Sequence, residues 1–200
     1  MSLFSLPSKF VSFFILVFLL ALFSGCSTTK NEKNYSASQL LRQSKKLSKN
    51  DESEKAKTKI QQLMESYPDS KERIAATMLL ADIHFKEEEY EEAIFHYQKF
   101  TELYPAHRFV DRAHFYEAMS NFKLTDLASR DLTPVNSALE GFQEFIKTFP
   151  KSSYSKPSKL KITQCLDILA QNIFEIGKFY YRTGSYQSAI KRFKNLKVEH

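Results

Sequence analysis

The chain has 200 residues, of which 42% are apolar and 26% charged, so it can form a hydrophobic core and is not a disordered polymer. Only four glycines are present and no Asn-Gly turn signal occurs, which excludes a fold rich in β-hairpins. The formal net charge of +6 is modest and the basic residues are scattered along the sequence, so we expect no nucleic-acid partner. The abundance of Leu, Lys, Glu and Ala favours an all-helical fold.

The N-terminal segment has the pattern of an export signal. One charge, Lys9, is followed by an almost unbroken apolar run from Phe10 to Phe23. As a helix this run would be about 21 Å long, short of the roughly 30 Å hydrocarbon core of a bilayer. A secretory signal is therefore a better interpretation than a permanent membrane span.

A cysteine follows the apolar run. Ser24 and Gly25 precede Cys26, which resembles the bacterial lipobox, although Phe23 stands where leucine is usual. The resemblance implies cleavage before Cys26 and a thioether-linked diacylglycerol, with further acylation such as palmitate, on that residue. The alternative is an ordinary cleaved signal with a chance cysteine. Ser27 at the next position resembles the pattern of lipoproteins sent to the outer membrane.

These features predict three segments. Residues 1–25 are a signal peptide, 26–35 a flexible tether that reaches roughly 30 Å when extended, and 36–200 a folded domain. Cleavage would leave 28 basic and 23 acidic residues, and anionic lipid headgroups would contribute only weakly to binding. Cys165 would be the one remaining thiol, and its apolar neighbours at helical spacing predict a buried structural cysteine.

An internal repeat runs through the folded domain. A repeat alanine is followed four residues later by a large apolar residue and, in three units, twelve residues later by a proline that comes after an aromatic residue. A small residue precedes the alanine, twelve residues earlier in three units and twenty in the third. In unit order the small residues are Ser44, Ala81, Ala118 and Gly177; the alanines Ala56, Ala93, Ala138 and Ala189; the large residues Ile60, Tyr97, Phe142 and Phe193; and the prolines Pro68, Pro105 and Pro150.

This pattern predicts a stack of helical hairpins. The small residue and the alanine let two helices approach closely, the large residue fills the space between hairpins, and proline ends each unit. A hairpin cannot bury its apolar face alone, so the units form a solenoid. We place the units at 36–69, 70–106, 107–151 and 152–200, with an eight-residue insertion within 124–134.

The fourth unit is longer than the others. Fourteen extra residues before Gly177 predict a first helix lengthened by about four turns. We expect its apolar stripe to comprise Leu160, Ile162, Leu166, Leu169, Ile173 and Ile176.

The order of small residue, alanine, aromatic and proline resembles the tetratricopeptide repeat. A coiled coil does not explain it, because prolines interrupt every possible heptad run. A four-helix bundle is the remaining structural alternative. The fold class is thus predicted as an all-α tetratricopeptide-repeat solenoid of about four repeats.

Longer segments resemble one particular family. Ser129 to Tyr154, the long helix after it, and Ile176 to Phe193 are similar to the outer-membrane assembly lipoprotein family BamD. The resemblance implies a non-enzymatic, lipid-anchored protein on the periplasmic side of the outer membrane, part of the β-barrel assembly machinery. Implied partners are POTRA domains of a BamA-like barrel component at the C-terminal units, unfolded outer-membrane proteins at the N-terminal units, and other assembly lipoproteins.

The resemblance also assigns candidate partner-binding residues. The family's docking arginine corresponds to Arg192, whose planar guanidinium can pair bidentately with a carboxylate. The alternative is an ordinary solvated helix residue. Arg130 and Asp131 match the family's inserted loop, where they bind a partner or simply pair locally and cap the following helix.

No motif predicts catalysis. The glutamates of Lys86 to Ala93 are interpreted as a solvated helix start, and the histidines show neither HExxH nor paired spacing, so we predict no metal, no cofactor and no catalytic residue. Four aromatic residues could line a peptide groove, but packing is the more common role at helical spacing. They are Phe85, Tyr116, Tyr180 and Tyr181.

Two other functions are compatible with the repeat, and the C-terminal unit departs from it. The rivals are a tetratricopeptide lipoprotein that scaffolds cell-wall enzymes and an enzyme with an unrecognised site. No proline follows Ala189 at the repeat spacing, so we expect a truncated last repeat, or one capped by a partner, that exposes Ile190, Phe193 or Leu196.

Overall fold

Eight helices make up the described part of the chain. The computed structural model describes residues 35–127 and 131–199, so the predicted signal peptide and nearly all of the predicted tether lie outside it. No helix in the described ranges combines the length and apolarity needed to span a membrane. The helices are α1 (Ala37–Lys49), α2 (Ser53–Ser66), α3 (Glu72–Lys86), α4 (Tyr90–Leu103), α5 (Val110–Leu127), α6 (Thr133–Thr148), α7 (Ser155–Arg182) and α8 (Tyr186–Glu199).

The helices stack in chain order. Each packs mainly against the helix before it and the helix after it, and α1 also contacts α3. The first two helices form one hairpin, and the same pairing repeats along the chain. This arrangement of nearest-neighbour contacts confirms the predicted all-α helical-hairpin solenoid.

The repeat positions form the core. The four small residues and the four repeat alanines are all buried. Tyr97 and Phe142 are fully buried between hairpins, as is Ile60 at the matching position of the first unit. Phe193 in the last unit is only half-buried.

The turns inside three hairpins share one backbone feature. Asp51, Glu88 and Gly184 have φ values of 61°, 62° and 77°. Each lies five residues before its repeat alanine, so the left-handed residue recurs at one position of the repeat. Only the last is a glycine, the residue that adopts this conformation without steric cost.

The ends of the hairpins are equally regular. Tyr67, Tyr104 and Phe149 each cap the end of a helix, and their backbone N–H groups donate to carbonyls four residues earlier. The repeat proline follows each cap directly. The predicted role of proline as the end of each unit is therefore confirmed for these three hairpins.

Helix α7 has the predicted extra length, with 28 residues. Cys165 and Ser158 are buried, and Ile162 and Leu169 pack against the same apolar cluster. The expectation for Leu160 is wrong, because this side chain is 60% exposed. At about 100° per residue it lies on the far side of the helix from Ser158.

Candidate partner-binding surfaces

The surface around Arg192 is formed by the last hairpin. Arg192 is exposed on α8 and lines a cavity of about 250 Å³ with Lys191, Ser188 and Tyr180 of α7. Within residues 35–125 and 131–194, no carboxylate lies within ion-pairing distance of Arg192. Its guanidinium is therefore open to an external acidic group.

Close helix packing fixes the position of this surface. A Cβ atom at Gly177 would lie 2.5 Å from Cε1 of Phe193, so only glycine allows the aromatic ring to pack there unchanged. Phe193 directly follows Arg192. The packing of its ring on Gly177 therefore holds this part of α8, and with it Arg192, against α7. The ring of Phe193 also lies 5.8 Å from that of Phe174.

Apolar side chains are exposed on the same hairpin. Ile190 is 47% exposed, as the sequence predicts, whereas the side chain of Leu196 lies outside the described residues. Tyr181 and Tyr186 are also exposed, and the centroids of their rings are 5.6 Å apart. Exposed apolar surface next to an unpaired cation is typical of a protein-docking surface.

A second candidate surface is a groove among the first three hairpins, with a volume of about 630 Å³. Helices α1, α3 and α5 contribute side chains, together with the turn before α5. Its floor is apolar and its rim carries Lys45, Lys71 and Arg108. The floor is lined by Ile74, Ala75, Met78, Leu79 and Phe109.

A polar network forms one wall of the groove. Arg112 donates to both carboxylate oxygens of Asp82, at 2.8 and 3.0 Å, and the hydroxyl of Tyr97 donates to Asp82 at 2.8 Å. Burial disfavours the charged form of Arg112, but the hydrogen bonds to Asp82 outweigh it and raise its pKa. Burial and the Asp82 carboxylate together raise the pKa of Tyr97.

This network joins three helices of two hairpins. Sequence analysis singles out only Tyr97 among its members, as a packing residue of the repeat, and misses Asp82 and Arg112. The available signal was a charged residue beside each of two buried alanines, Asp82 after Ala81 and Arg112 before Ala113. Such a residue is held at the edge of the core, where a charge needs a partner.

Of the remaining predicted site residues only Asp131 is described, and it lines neither surface. The Oδ1 atom of Asp131 accepts a hydrogen bond from the backbone N–H of Thr133 at 2.8 Å, and this bond lowers the pKa of Asp131. Asp131 therefore supports the start of α6, in line with the local capping role. Arg130 and Cys26 lie outside the described residues.

Two of the four aromatic groove candidates are packing residues. The rings of Phe85 and Tyr116 meet edge-on with their centroids 5.1 Å apart, and both side chains pack against a buried cluster. Tyr181 is 62% exposed, and Tyr180 lines the cavity beside Arg192. The two candidates that remain available for partners thus lie in the last hairpin.

The glutamate-rich segment is only partly a solvated face. Glu88 is exposed, but Glu89 accepts a hydrogen bond from Lys57 at 2.7 Å and contacts Nδ1 of His84 at 2.6 Å. Glu87 accepts from Ser53 of the first hairpin at 2.6 Å. The contacts with Lys57 and Ser53 hold the turn of the second hairpin against helix α2 of the first hairpin.

The fold also brings together two histidines that are twelve positions apart. The rings of His84 and His96 stack with centroids 4.8 Å apart. Burial, and then the nearby His84, lower the pKa of His96 to about 4. In the described ranges no group of three or more His, Cys, Asp or Glu residues could hold a metal ion.

Burial raises the pKa of the Cys165 thiol to about 11, which fits a structural cysteine.

Residues 33–200 match the family model YfiO, described as outer membrane lipoprotein. This match covers every described helix. The chain belongs to this outer membrane lipoprotein family.

Curated relatives of the family carry the name outer membrane protein assembly factor BamD, which confirms the family resemblance. The protein from Caulobacter vibrioides is 29% identical over 117 residues, covering 58% of this chain and 38% of that protein. The protein from Neisseria gonorrhoeae is 25% identical, covering 69% and 56%, and that from Rickettsia prowazekii is 28% identical, covering 71% and 57%. The chain thus spans about half the length of the curated relatives it matches.

Solved structures also align with this chain. One of them contains residues 41 to the end of MamA from Desulfovibrio magneticus RS-1, with a TM-score of 0.46 and 12% identity, covering 82% of this chain and 75% of that one. A likeness at this level has no bearing on function.

Proposed function

We propose that this chain is a non-enzymatic lipoprotein of the β-barrel assembly machinery. Cys26 anchors it by lipid to the periplasmic face of the outer membrane. The hairpin that carries Arg192 docks on a POTRA domain of a BamA-like partner, and the groove among the first three hairpins engages unfolded outer-membrane proteins.

The family match over residues 33–200 carries this proposal. The two surfaces supply a physical basis for two different contacts. An unpaired arginine next to exposed aromatic rings suits a folded partner with an acidic patch. A groove with an apolar floor and a cationic rim suits an extended segment with apolar side chains and a negative charge.

Lipidation is tested by replacing the acceptor thiol. We expect Cys26→Ala to abolish incorporation of labelled palmitate and to leave the protein in the soluble periplasmic fraction or uncleaved at the inner membrane. Cys165→Ala serves as the control for loss of a thiol, and it should incorporate label normally. Label retained by Cys26→Ala would contradict the anchor.

Docking is tested by reversing the charge at Arg192. We expect Arg192→Glu to reduce co-purification of the POTRA-containing partner by at least about tenfold, because a bidentate pair becomes a repulsion. Lys159→Glu, an exposed cation on the far half of α7, is the control and should co-purify normally. Undiminished capture by Arg192→Glu would remove this residue from the docking surface, and recovery of cell-wall enzymes instead of a barrel component would favour the scaffold function.

Substrate engagement is tested by photo-crosslinking. A photoreactive amino acid at Phe109, which lines the groove and is 39% exposed, should crosslink to unfolded outer-membrane proteins during their export. The same probe at Phe95, which is 59% exposed and outside the groove, should not. Equal crosslinking from both positions would mean that the groove is not the binding site.

A further inference from the structure

The first helix has an unusual charge distribution. Helix α1 carries Arg42, Lys45, Lys46 and Lys49 and has no acidic residue. All four side chains are exposed, and in the described ranges none of them lies within ion-pairing distance of a carboxylate. We refer to these four residues as the basic stripe.

The stripe occupies one face of α1. The four residues are spaced at i, i+3, i+4 and i+7, so at about 100° per residue they fall within an arc of about 100°. Leu40 and Ser44 lie on the opposite side of the helix and are fully buried. The basic residues as a whole are scattered along the sequence. These four nevertheless lie together on the outer face of one helix.

This face lies at the N-terminal end of the described solenoid. Helix α1 packs against α2 and α3 through its buried side, so no described helix covers the stripe. The neighbouring lysines are different, because Lys57 pairs with Glu54 and Glu89, and Lys86 pairs with Asp51. In the described ranges, the cations around the first turn thus form ion pairs, whereas those on α1 form none, and Lys46 has only a longer-range attraction to Glu52.

Solubility alone does not account for this charge pattern. A terminal repeat needs a polar outer face, but either sign of charge provides it, and acidic residues do so better than basic ones. An unpaired face of one sign, by contrast, favours a surface of opposite sign.

We propose that the basic stripe of α1 docks on the anionic phospholipid surface of the membrane. This proposal rests on the lipid anchor at Cys26 proposed above. Nine residues lie between Cys26 and Ser36, which reach roughly 30 Å when extended, so the anchor holds α1 near the headgroups. Electrostatic attraction acts within a Debye length of about 10 Å at 0.1 M salt, a range that the tether makes accessible.

The docking is electrostatic and does not insert the helix. The apolar side of α1 is already buried, with Leu40 at 0% exposure, so no apolar face is left to enter the bilayer. A polybasic surface is the usual second signal that strengthens a lipid anchor. The stripe would orient the solenoid by its first hairpin and leave the last hairpin free for a protein partner.

The test uses residues 26–200 with Cys26→Ser, so that no acyl chain contributes and the result does not depend on lipidation. Binding is measured by co-sedimentation with vesicles of phosphatidylethanolamine and phosphatidylglycerol, and with neutral phosphatidylcholine vesicles. The stripe variant is Arg42→Gln, Lys46→Gln and Lys49→Gln, which spares Lys45 in the groove. The control removes the same charge from exposed, equally unpaired residues around the start of α7, by Lys151→Gln, Lys156→Gln and Lys159→Gln. Circular dichroism confirms that both variants fold.

We expect the parent protein to bind anionic vesicles but not neutral ones, and added salt to weaken the binding. The stripe variant should lose at least about tenfold in partitioning, since each basic side chain near an anionic surface contributes about fivefold. The control should retain most of the binding. Equal loss in both variants would mean that only net charge matters. This outcome, undiminished binding by the stripe variant, or no binding by the parent protein would each overturn the proposal.

Discussion

At the scale of single residues, Asp82 is the shared acceptor of the polar network in the groove wall. Its carboxylate accepts hydrogen bonds from Tyr97, whose side chain is fully buried, and from Arg112, whose side chain is 27% exposed. Asp82→Ala removes the acceptor for both donors and leaves a half-buried charge without its partner. We expect a loss of about 2–4 kcal/mol in the free energy of unfolding, measured by urea denaturation.

A smaller substitution provides the comparison for Asp82. Tyr97→Phe removes one hydrogen bond but keeps the ion pair, so it should cost only about 1 kcal/mol. If the two variants were equally stable, Arg112 would have found another partner and the network would contribute little.

The lowered pKa of His96 predicts that the free energy of unfolding depends on pH. In the folded chain its pKa is lowered to about 4, against an ordinary value of 6.5, by burial and by His84 and Lys99, with Glu92 opposing. Above pH 6.5 the ring is neutral in both states, and between pH 6.5 and 4 only the unfolded chain takes up the proton. Stability should therefore fall by about 1–2 kcal/mol as the pH drops through this window, a loss limited by the partial exposure of the ring.

The contribution of His96 is isolated by substitution. Urea denaturation at pH 7 and pH 5 should show a smaller loss for His96→Gln than for the parent protein. An unchanged pH dependence would assign the effect to other groups.

At the scale of elements, the turns at Asp51 and Glu88 place a residue with a Cβ atom in the left-handed conformation that Gly184 adopts without steric cost. Glu88 has a φ of 62°, a conformation that costs a residue with a Cβ about 1–2 kcal/mol. Glu88→Gly should relieve this strain and raise the free energy of unfolding by about 0.5–1 kcal/mol, after allowance for the greater freedom of glycine in the unfolded chain. Thermal denaturation measures the difference.

The same element provides a control of opposite sign. Glu91→Gly, at an exposed position in the first turn of α4, should lower stability by about 1 kcal/mol, because glycine is a poor helix former. Two losses of similar size would mean that the left-handed conformation of Glu88 is not strained.

At the scale of the whole molecule, a solenoid held mainly by contacts between neighbouring helices is not equally stable along its length. Among the described helices, α8 packs mainly against α7 and exposes Ile190, whereas α5 is held between α4 and α6. Native-state hydrogen exchange should therefore be fastest in α8 and slowest in the central helices. Uniform protection would indicate that the described helices unfold as one unit.

A substitution in the last hairpin tests this gradient. Phe193→Ala removes the ring that packs on Gly177 and should speed exchange in α8 without changing α3 to α5. An effect that spread to the central helices would show that stability is coupled along the solenoid.

The sequence alone determined the fold and the family, because both depend on local spacing. Small residues, alanines and aromatic residues recur at helical intervals, and a proline beyond the first turn ends a helix, so the spacing of Ala93, Tyr97 and Pro105 is enough to specify one hairpin. The export signal, the lipobox resemblance and Arg192 are also read from sequence, and the roles of Cys26 and Arg192 remain predictions.

Only the tertiary structure decided which charged and apolar residues meet. The contact of Asp82 with Arg112 joins positions 30 residues apart, and no local rule fixes such a pair. Leu160 was assigned to the wrong face because the register of α7 depends on what it packs against. The outward face of α1 became a basic surface only when the packing of α2 and α3 buried its other side, since burial, and not composition, selects which side chains remain exposed.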